Sequence, residues 1–355
     1  MSEITKMMYH NVKDIDYICF INRYVGGIQK IMWHPIKPFL TSIIPFTSNS
    51  IFLWDLNGNL VDTFTGHSGS VTDISWSHDG SLMASCSSDK NVFIWSFETR
   101  QVIDRINDYN SSLYFVSWSL QENVLASVAG KILMEGDSLM ESTTYIWNKR
   151  NNTSLSLSKD ISHIAWNPIE STLARTIHSS EGSIIELWNS NSTEIHNFNT
   201  HLNIKGSISW NYTGMYIAVR DYNKSSFFNN QGYMIKDYLC DTSFVWDKGI
   251  EWNPKENLLA IVDKDVIRIY NEVGSLVCSC ESHQNYIATI AWNCDGTLIA
   301  SGSFDKTIKI WTPGGTLLRT LYGHDDAVFE LAWSPDGCRL ASVSRDYSLF
   351  LWGIP

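Results

Sequence analysis

Three segments of the 355-residue sequence place a histidine, a serine and an aspartate at one spacing, and serine hydrolases use these residue types for nucleophilic attack. The serine follows the histidine by 18 residues, the aspartate by 22 and a tryptophan by 28. The sets are His67, Ser85, Asp89 and Trp95; His283, Ser301, Asp305 and Trp311; and His324, Ser342, Asp346 and Trp352. No Gly-x-Ser-x-Gly, His-Glu-x-x-His or phosphate-loop motif accompanies them. Their recurrence therefore predicts structural roles, and we expect no catalytic residue.

The elements that carry these residues repeat along the chain. A first column of tryptophans recurs every 40 to 48 residues, at Trp33, Trp76, Trp118, Trp166, Trp210, Trp252, Trp292 and Trp333. About twenty residues after each comes a second aromatic, at Trp54, Trp95, Trp147, Trp188, Phe228, Tyr270, Trp311 and Trp352. Short apolar or alternating runs, separated by turns such as Asp79-Gly80, predict four strands in each unit. The sequence predicts an all-β protein of eight four-stranded units.

This pattern resembles the WD40 family of β-propellers over essentially the whole chain, most strongly in residues 66–95, 283–311 and 323–352. In that family a His, a Ser or Thr, an Asp and a Trp form a buried hydrogen-bonded tetrad. The resemblance implies that the three sets above are such tetrads, while the other five units lack a complete one. Residues 292–321 also resemble the eight-bladed propellers of transducin-β-like corepressors, but the helical N-terminal module expected of those proteins does not precede Trp33.

The two ends of the chain predict how the ring closes. The eighth unit has three strands and stops soon after Trp352, whereas residues 16–22 form a strand with no unit before it. An open sheet edge exposes unpaired backbone groups, so we expect the two to pair. The prediction is a single propeller domain over residues 1–355, with 1–15 as a polar tail; seven blades and a spare unit is the alternative.

Composition and charge limit the partners and the compartment that we expect for the protein. A net charge of -11 and a pI near 5.3 argue against direct binding of nucleic acid or anionic membranes. The polar start of the chain carries no signal peptide or anchor, and seven irregularly spaced cysteines fit a reducing compartment, so we expect an intracellular protein of the cytoplasm or nucleus. Cys278 and Cys280 have no second pair nearby, so we expect no metal and no cofactor.

The family resemblance implies a platform that binds other proteins through the loops between fourth and first strands and between second and third strands. Aromatic and basic residues of units six to eight fall near that face, on the innermost strands or just before the turn aspartates: Trp246, Lys248, Tyr286, Phe304, Phe329 and Arg345. Tyr114 and an insertion at residues 130–144, which contains Leu133 and Met134, extend this candidate surface. The alternative is that these aromatics pack between blades and that the insertion folds back on its own blade.

The leading hypothesis is a non-enzymatic scaffold, a monomeric propeller within an intracellular multiprotein complex, whose partners are proteins or peptides. One alternative is a reader of methylated lysine, with Trp246, Tyr286, Phe304 and Phe329 as an aromatic cage. Another is a ubiquitin-ligase substrate receptor, although Trp54-Asp55 is not followed by the arginine of the WDxR motif. A propeller enzyme is the least favoured.

Overall fold

Thirty-two strands form eight antiparallel sheets of four strands each. The computed structural model describes residues 17–21, 28, 30–44, 48–107, 109–130, 142–148, 153–158, 161–177, 182–190, 193–202, 204, 207–221, 224–240 and 249–354. Within these ranges no helix occurs. Every first strand ends at a first-column tryptophan, so the sequence period is the period of the blades.

The strand bounds follow the repeat. Blade 1 consists of β2 (Lys30–Trp33), β3 (Leu40–Ile43), β4 (Ser50–Trp54) and β5 (Leu60–Thr65), and blade 2 of β6 (Val71–Trp76), β7 (Leu82–Ser87), β8 (Val92–Ser96) and β9 (Val102–Ile106). Blade 3 consists of β10 (Ser112–Trp118), β11 (Val124–Gly130), β12 (Thr143–Asn148) and β13 (Thr153–Ser158), and blade 4 of β14 (Ile161–Trp166), β15 (Thr172–Ile177), β16 (Ile184–Asn189) and β17 (Glu194–Asn199). Blade 5 consists of β18 (Ile208–Trp210), β19 (Tyr216–Arg220), β20 (Lys224–Asn229) and β21 (Met234–Leu239), and blade 6 of β22 (Ile250–Trp252), β23 (Leu258–Asp263), β24 (Val266–Asn271) and β25 (Leu276–Glu281). Blade 7 consists of β26 (Ile287–Trp292), β27 (Ile299–Ser303), β28 (Ile308–Trp311) and β29 (Leu317–Leu321), and blade 8 of β30 (Val328–Trp333), β31 (Arg339–Ser344), β32 (Leu349–Gly353) and β1 (Tyr17–Ile21).

The N-terminal strand completes the last blade. β1 pairs antiparallel with β32, with Tyr17 opposite Trp352 and Ile21 opposite Leu349. This confirms the predicted eight-bladed ring and its closure by the two ends of the chain. The predicted polar tail, residues 1–15, lies outside the described residues.

Hydrophobic cores lie between the blades. The described residues form eight apolar clusters, and each joins one pair of neighbouring blades. The cluster across the closure packs Ile31 and Trp54 of blade 1 with Val343 and Leu351 of blade 8. Full burial of such a side chain stabilises by about 1.5–3 kcal/mol, so the ring is held by apolar packing at every interface.

The first-column tryptophans also link blades through hydrogen bonds. The indole N–H groups of Trp166, Trp210 and Trp333 donate to first-strand carbonyls of the preceding blades at 2.9 to 3.1 Å. Trp33 makes the same bond to the Ala332 carbonyl at 2.9 Å, from blade 1 back to blade 8. The first column therefore marks contacts between blades.

We call the face with the turns between first and second strands the bottom face, and the opposite one the top face. On the bottom face of blades 4 and 6, the residue after the first-column tryptophan caps the turn of the next blade. Asn167 and Asn253 donate to the carbonyls of Gly214 and Gly296 at 3.0 and 2.8 Å. Both glycines have positive φ, 68° and 74°, as the tight turn requires.

In blade 1 the capping residue is a histidine. His34 Nε2 lies 3.0 Å from the Gly80 carbonyl oxygen, and its Nδ1 accepts the backbone N–H groups of Ile36 and Lys37 at 3.1 and 2.9 Å. The Asn167 side-chain oxygen accepts the corresponding two N–H groups in blade 4. Histidine and asparagine thus make the same three contacts at one repeat position.

Candidate protein-binding face

The three His, Ser, Asp and Trp sets come together inside blades 2, 7 and 8. In blade 2, His67 Nδ1 lies 2.8 Å from Asp89 Oδ2, and His67 Nε2 lies 2.8 Å from Ser85 Oγ. The Trp95 indole N–H donates to the same Ser85 oxygen at 2.8 Å. In blades 7 and 8 the same contacts measure 2.7 to 3.1 Å. Each set ties the loop entering a blade to its second and third strands.

The geometry resembles a hydrolase triad, but the hydroxyl group is inaccessible. Ser85, Ser301 and Ser342 are fully buried, with 0% of their surface exposed. Each serine oxygen is also occupied by an indole N–H. A nucleophile must reach a substrate carbonyl, so this arrangement fits a brace and not a catalytic site.

The carboxylates of the braces are held in their charged form. Burial alone would raise the pKa of Asp305, but hydrogen bonds from His283, from Thr307 and from the backbone of Gln284 bring it well below its usual range. The pKa of Asp346 is depressed in the same way by His324 and Ser348. Each carboxylate also accepts the backbone N–H that follows its histidine, at 2.9 Å from Gln284 in blade 7. These bonds fix the loops that form the top face.

Other blades use different residues at the same register position. In blade 3, Tyr109 stands where the histidine would be, and its hydroxyl lies 2.8 Å from Ser127 Oγ. In blade 1, the Trp54 indole donates to Ser42 Oγ at 2.9 Å. Sequence reasoning missed both, although Tyr109 lies nine residues before Trp118, as each tetrad histidine does before its own first-column tryptophan.

Blade 4 carries an arginine at the position of the tetrad serine. Arg175 pairs in register with Glu186, as Ser85 does with Phe93 in blade 2. Arg175 donates two hydrogen bonds to one Glu186 oxygen, at 2.9 and 2.5 Å, and the Trp188 indole donates to that oxygen at 2.9 Å. Both charged side chains are about 2% exposed. The arginine of a buried ion pair thus occupies the serine position, and its glutamate the position of Phe93 in blade 2.

The top-face loops of blades 7 and 8 are tied to neighbouring turns. The Phe304 N–H donates to the Tyr286 carbonyl at 2.9 Å, and Ser303 Oγ donates to the same carbonyl at 2.9 Å. In blade 8, the Arg345 N–H donates to the Ala327 carbonyl at 2.8 Å. Tyr286, Phe304 and Arg345 therefore lie on ordered loops of one face, half-buried in the first two cases and exposed in the third.

The remaining predicted residues are placed differently. Phe329 is half-buried and packs against the cluster between blades 8 and 1, and Tyr114 is half-buried on β10. The strand register shifts between Val328 and Glu330, so Phe329 turns toward blade 1 while Leu331 packs toward blade 7. Trp246, Lys248, Leu133 and Met134 lie outside the described residues.

The structure adds exposed residues that the sequence reasoning missed. Tyr347, 52% exposed with φ of 68°, lies at the top-face turn of blade 8, two residues after Arg345. Lys90, Lys264 and Lys306 occupy the corresponding turns of blades 2, 6 and 7, also with positive φ. The left-handed conformation therefore recurs at this turn, and blade 8 differs in placing a tyrosine there. The sequence signal is the RDY of blade 8 against SDK and FDK in blades 2 and 7.

Metal-binding clusters and membrane-spanning helices are both absent from the described part of the chain. There, no group of three or more His, Cys, Asp or Glu side chains is placed to hold a metal ion. Over the same residues, no helix has the length and apolar character needed to cross a membrane.

Fold and braces together define the class: an eight-bladed β-propeller whose blades 2, 7 and 8 carry the His, Ser, Asp and Trp brace. The family model of the WD domain, G-beta repeat, matches residues 58–96, 274–312 and 315–353, which are the segments that hold these braces. These three segments are WD40 repeats within an eight-bladed β-propeller.

Parts of the chain are similar in sequence to proteins of known name. It is 26% identical over 259 residues to protein transport protein sec13 of Emericella nidulans, covering 69% of this chain and 77% of that protein. It is 36% identical over 73 residues to a component of chromatin assembly factor 1 of Mus musculus, covering 21% of this chain and 13% of that protein. The chain thus spans most of the first relative but only a small part of the second.

Solved structures share the fold. Sqt1 of Chaetomium thermophilum, solved bound to the N-terminus of the ribosomal protein L10, has a TM-score of 0.76 over 96% of this chain and all of that chain, at 14% identity. The computationally designed Ika8 protein has a TM-score of 0.75 over 96% of this chain and all of that chain, at 18% identity. At these identities the likeness shows the architecture alone.

Proposed function

We propose that this protein is a non-enzymatic scaffold that binds other proteins through the top face of blades 7 and 8. The observation that carries the proposal is the group Tyr286, Phe304, Arg345 and Tyr347, presented on loops that backbone hydrogen bonds hold in place. Aromatic and arginine side chains on a rigid rim supply large contact areas at small entropic cost.

The relatives support protein or peptide partners. The Sqt1 structure contains the N-terminus of a ribosomal protein, and the chromatin assembly factor relative is by name one component of an assembly. A scaffold function needs a stable surface more than a reactive group. The fully buried tetrad serines fit that requirement.

The test is affinity purification of the full-length protein followed by mass spectrometry. The variant combines Tyr286→Ala, Phe304→Ala and Arg345→Glu, and we expect recovery of specific partners to fall at least tenfold. The matched control is Tyr233→Ala with Lys255→Glu, two exposed residues in bottom-face turns, which should retain those partners. Both variants should keep the wild-type melting temperature. Recovery of the same partners with the top-face variant would refute the proposal.

A second arm of the test addresses methylated lysine. Tyr286 and Phe304 are the two proposed cage residues on described top-face loops, because Phe329 packs between blades. Peptides with and without trimethyl-lysine should bind equally if the face is a general protein platform. Binding that requires the methyl groups would favour the cage instead.

A further inference from the structure

A groove on the outer side of the ring separates the fourth strands of blades 1 and 2. Its volume is about 490 Å³, and its lining includes Thr63 and Thr65 of β5, Thr99 of the turn before β9, and two arginines, Arg100 and Arg105. A volume of this order accommodates a short peptide segment. None of these residues belongs to the top face of blades 7 and 8.

Arg100 has a backbone conformation that other blades reserve for glycine. The turns between third and fourth strands of blades 1, 5, 6 and 7 place Gly58, Gly232, Gly274 and Gly315 at φ of 72°, 82°, 79° and 84°. Arg100 takes φ of 60° in blade 2, where its N–H donates to the Ser96 carbonyl at 3.0 Å. A non-glycine residue in this region costs about 1–2 kcal/mol. The side chain at this position is therefore retained against a local cost.

Contacts within the protein hold both guanidinium groups in place. The Arg100 guanidinium carbon lies 3.8 Å from the Phe97 ring centroid, and its N–H also donates to the Phe97 carbonyl. The Arg105 guanidinium carbon lies 4.7 Å from the Phe93 ring. Phe93 itself stacks on the braced His67 ring at 4.0 Å. Cation–π contacts of this kind orient an arginine without satisfying its hydrogen-bond donors.

The groove is a local exception to the charge of the chain. One carboxylate, Asp62, faces the two arginines, and its Oδ2 lies 3.6 Å from Arg100 Nε. Two positive charges and one negative charge leave the lining with a net charge of about +1 on a protein of net charge -11. Threonine hydroxyls beside guanidinium groups are donors for carboxylate or phosphate oxygens.

The groove is also bordered by an open strand edge. β9 is the last strand of blade 2, so one side of its backbone has no strand partner in that sheet. An extended peptide binds such an edge through main-chain hydrogen bonds, and side-chain pockets then give specificity. The groove lining reaches from Arg100, in the bottom-face turn, to Gly66, at the top-face end of β5, which suits a strand-like ligand.

We propose that this outer groove binds an extended peptide segment that carries an anionic side chain, with Arg100 and Arg105 contacting the anion. The anion is a carboxylate or a phosphate, and the two sources are separated by experiment. The groove would act as a second binding site, independent of the proposed top-face site.

The test follows the arginine Nε–Hε signals of the full-length protein by NMR, with ¹⁵N-labelled arginine. Three decapeptides of glycine and serine are titrated, with a central phosphothreonine, glutamate or threonine. We expect saturable shifts of the Arg100 and Arg105 signals with the phosphothreonine or the glutamate peptide and none with the threonine peptide. The stronger of the two anionic peptides identifies the anion, and added salt should weaken binding.

Two substitutions test the arginines of the groove, and a third serves as the control. Arg100→Gly restores the residue found in four other turns and should fold, and Arg105→Gln removes the second charge. Together they should weaken peptide affinity at least tenfold, whereas Arg345→Gln on the top face should leave it unchanged. The proposal is refuted if neither anionic peptide shifts the two signals, if the neutral peptide shifts them equally, or if the double variant binds as the wild type does. Loss of partners on the top face alone would leave this result unaffected, so the two proposals fail separately.

Discussion

Blades 2, 7 and 8 and blade 4 solve the same structural problem with different chemistry. In the first group, an imidazole, a hydroxyl and an indole satisfy one another, and an aspartate carboxylate contacts the second ring nitrogen of the imidazole. In blade 4, Arg175 and Glu186 bring two full charges into the core. This register position therefore requires satisfied polar groups and not particular residues.

The tetrads and the buried ion pair lie in different halves of the ring. The three tetrads lie in blades 7, 8 and 2, and blade 1 between them has its Trp54–Ser42 bond and the closure by β1. We call blades 7, 8, 1 and 2 the braced half. Both proposed binding regions, the top face of blades 7 and 8 and the groove of blades 1 and 2, lie on it. Binding surfaces held in place lose less entropy on binding.

The largest predicted effect comes from breaking the buried ion pair of blade 4. Glu186→Gln leaves the Arg175 charge buried without its counterion, so we expect a loss of about 3–5 kcal/mol in the free energy of unfolding. Urea denaturation measures it, with Glu194→Gln on the exposed face of β17 as the control. Replacing both partners, with Arg175→Met and Glu186→Leu, should recover most of the loss. A single variant as stable as the control would contradict this role of the pair.

The next largest effect comes from removing the serine hydroxyl at the centre of one tetrad. Ser301→Ala deprives the Trp311 indole and the His283 imidazole of a common partner, so we expect a loss of about 1–3 kcal/mol. Ser275→Ala, at an exposed position of blade 6, should cost less than about 0.5 kcal/mol. Equal values for the two variants in urea denaturation would show that the tetrad does not stabilise its blade.

A third prediction compares the histidine cap of blade 1 with the asparagine caps. Burial lowers the pKa of His34 below its usual 6.5, and the charges of Lys37 and Arg100 act in the same direction, while the bond to Gly80 opposes them. The unfolded chain therefore takes up a proton near pH 6.5 that the folded protein does not. The contribution of His34 to the free energy of unfolding is therefore fully present above about pH 6.5. It decreases as the pH falls below that value, by up to about 1.4 kcal/mol per pH unit.

The variant His34→Asn isolates this effect. Asparagine makes the same three contacts in blades 4 and 6, so the interface should remain intact while the titrating group is removed. The measurement is the difference in unfolding free energy between variant and wild type from pH 7.5 to 5. A difference that does not change with pH would contradict the assignment.

The smallest predicted effect concerns the top-face turns. Tyr347→Gly removes the cost of a left-handed tyrosine, and we expect a gain of at most about 1 kcal/mol together with weaker partner binding. Lys90→Gly in blade 2 should give a similar gain without affecting partners of blades 7 and 8. Thermal denaturation and the purification assay together measure both properties. A Tyr347→Gly variant that binds as well as the wild type would remove Tyr347 from the face.

The first column of tryptophans and the second column of aromatic residues were enough to predict the eight blades and the closure. A first-column tryptophan ends every first strand, and the strand at residues 17–21 pairs where the incomplete eighth unit requires it. These features are visible because the period of about forty residues and the strand alternation are local properties of the sequence. The histidine, serine and aspartate offsets were equally visible for the same reason.

Other features depend on register and could not be read from spacing. Glu186 pairs with Arg175 only because two strands align them, and no fixed offset of the tetrad includes a glutamate. Phe329 turns toward blade 1 because of a local register shift beside it, which the period of two does not predict. Arg100 takes a glycine conformation because the turn of blade 2 is one residue longer than that of blade 1.

We expect the braced half of the ring to be more stable than the half with the buried ion pair. Native-state hydrogen exchange of the full-length protein, read by mass spectrometry, tests it directly. We expect the amides of β7, β27 and β31 to exchange only through global unfolding, and those of β15 and β19 to exchange faster, through local opening. Equal protection across these strands, or slower exchange in blades 4 and 5, would contradict the claim.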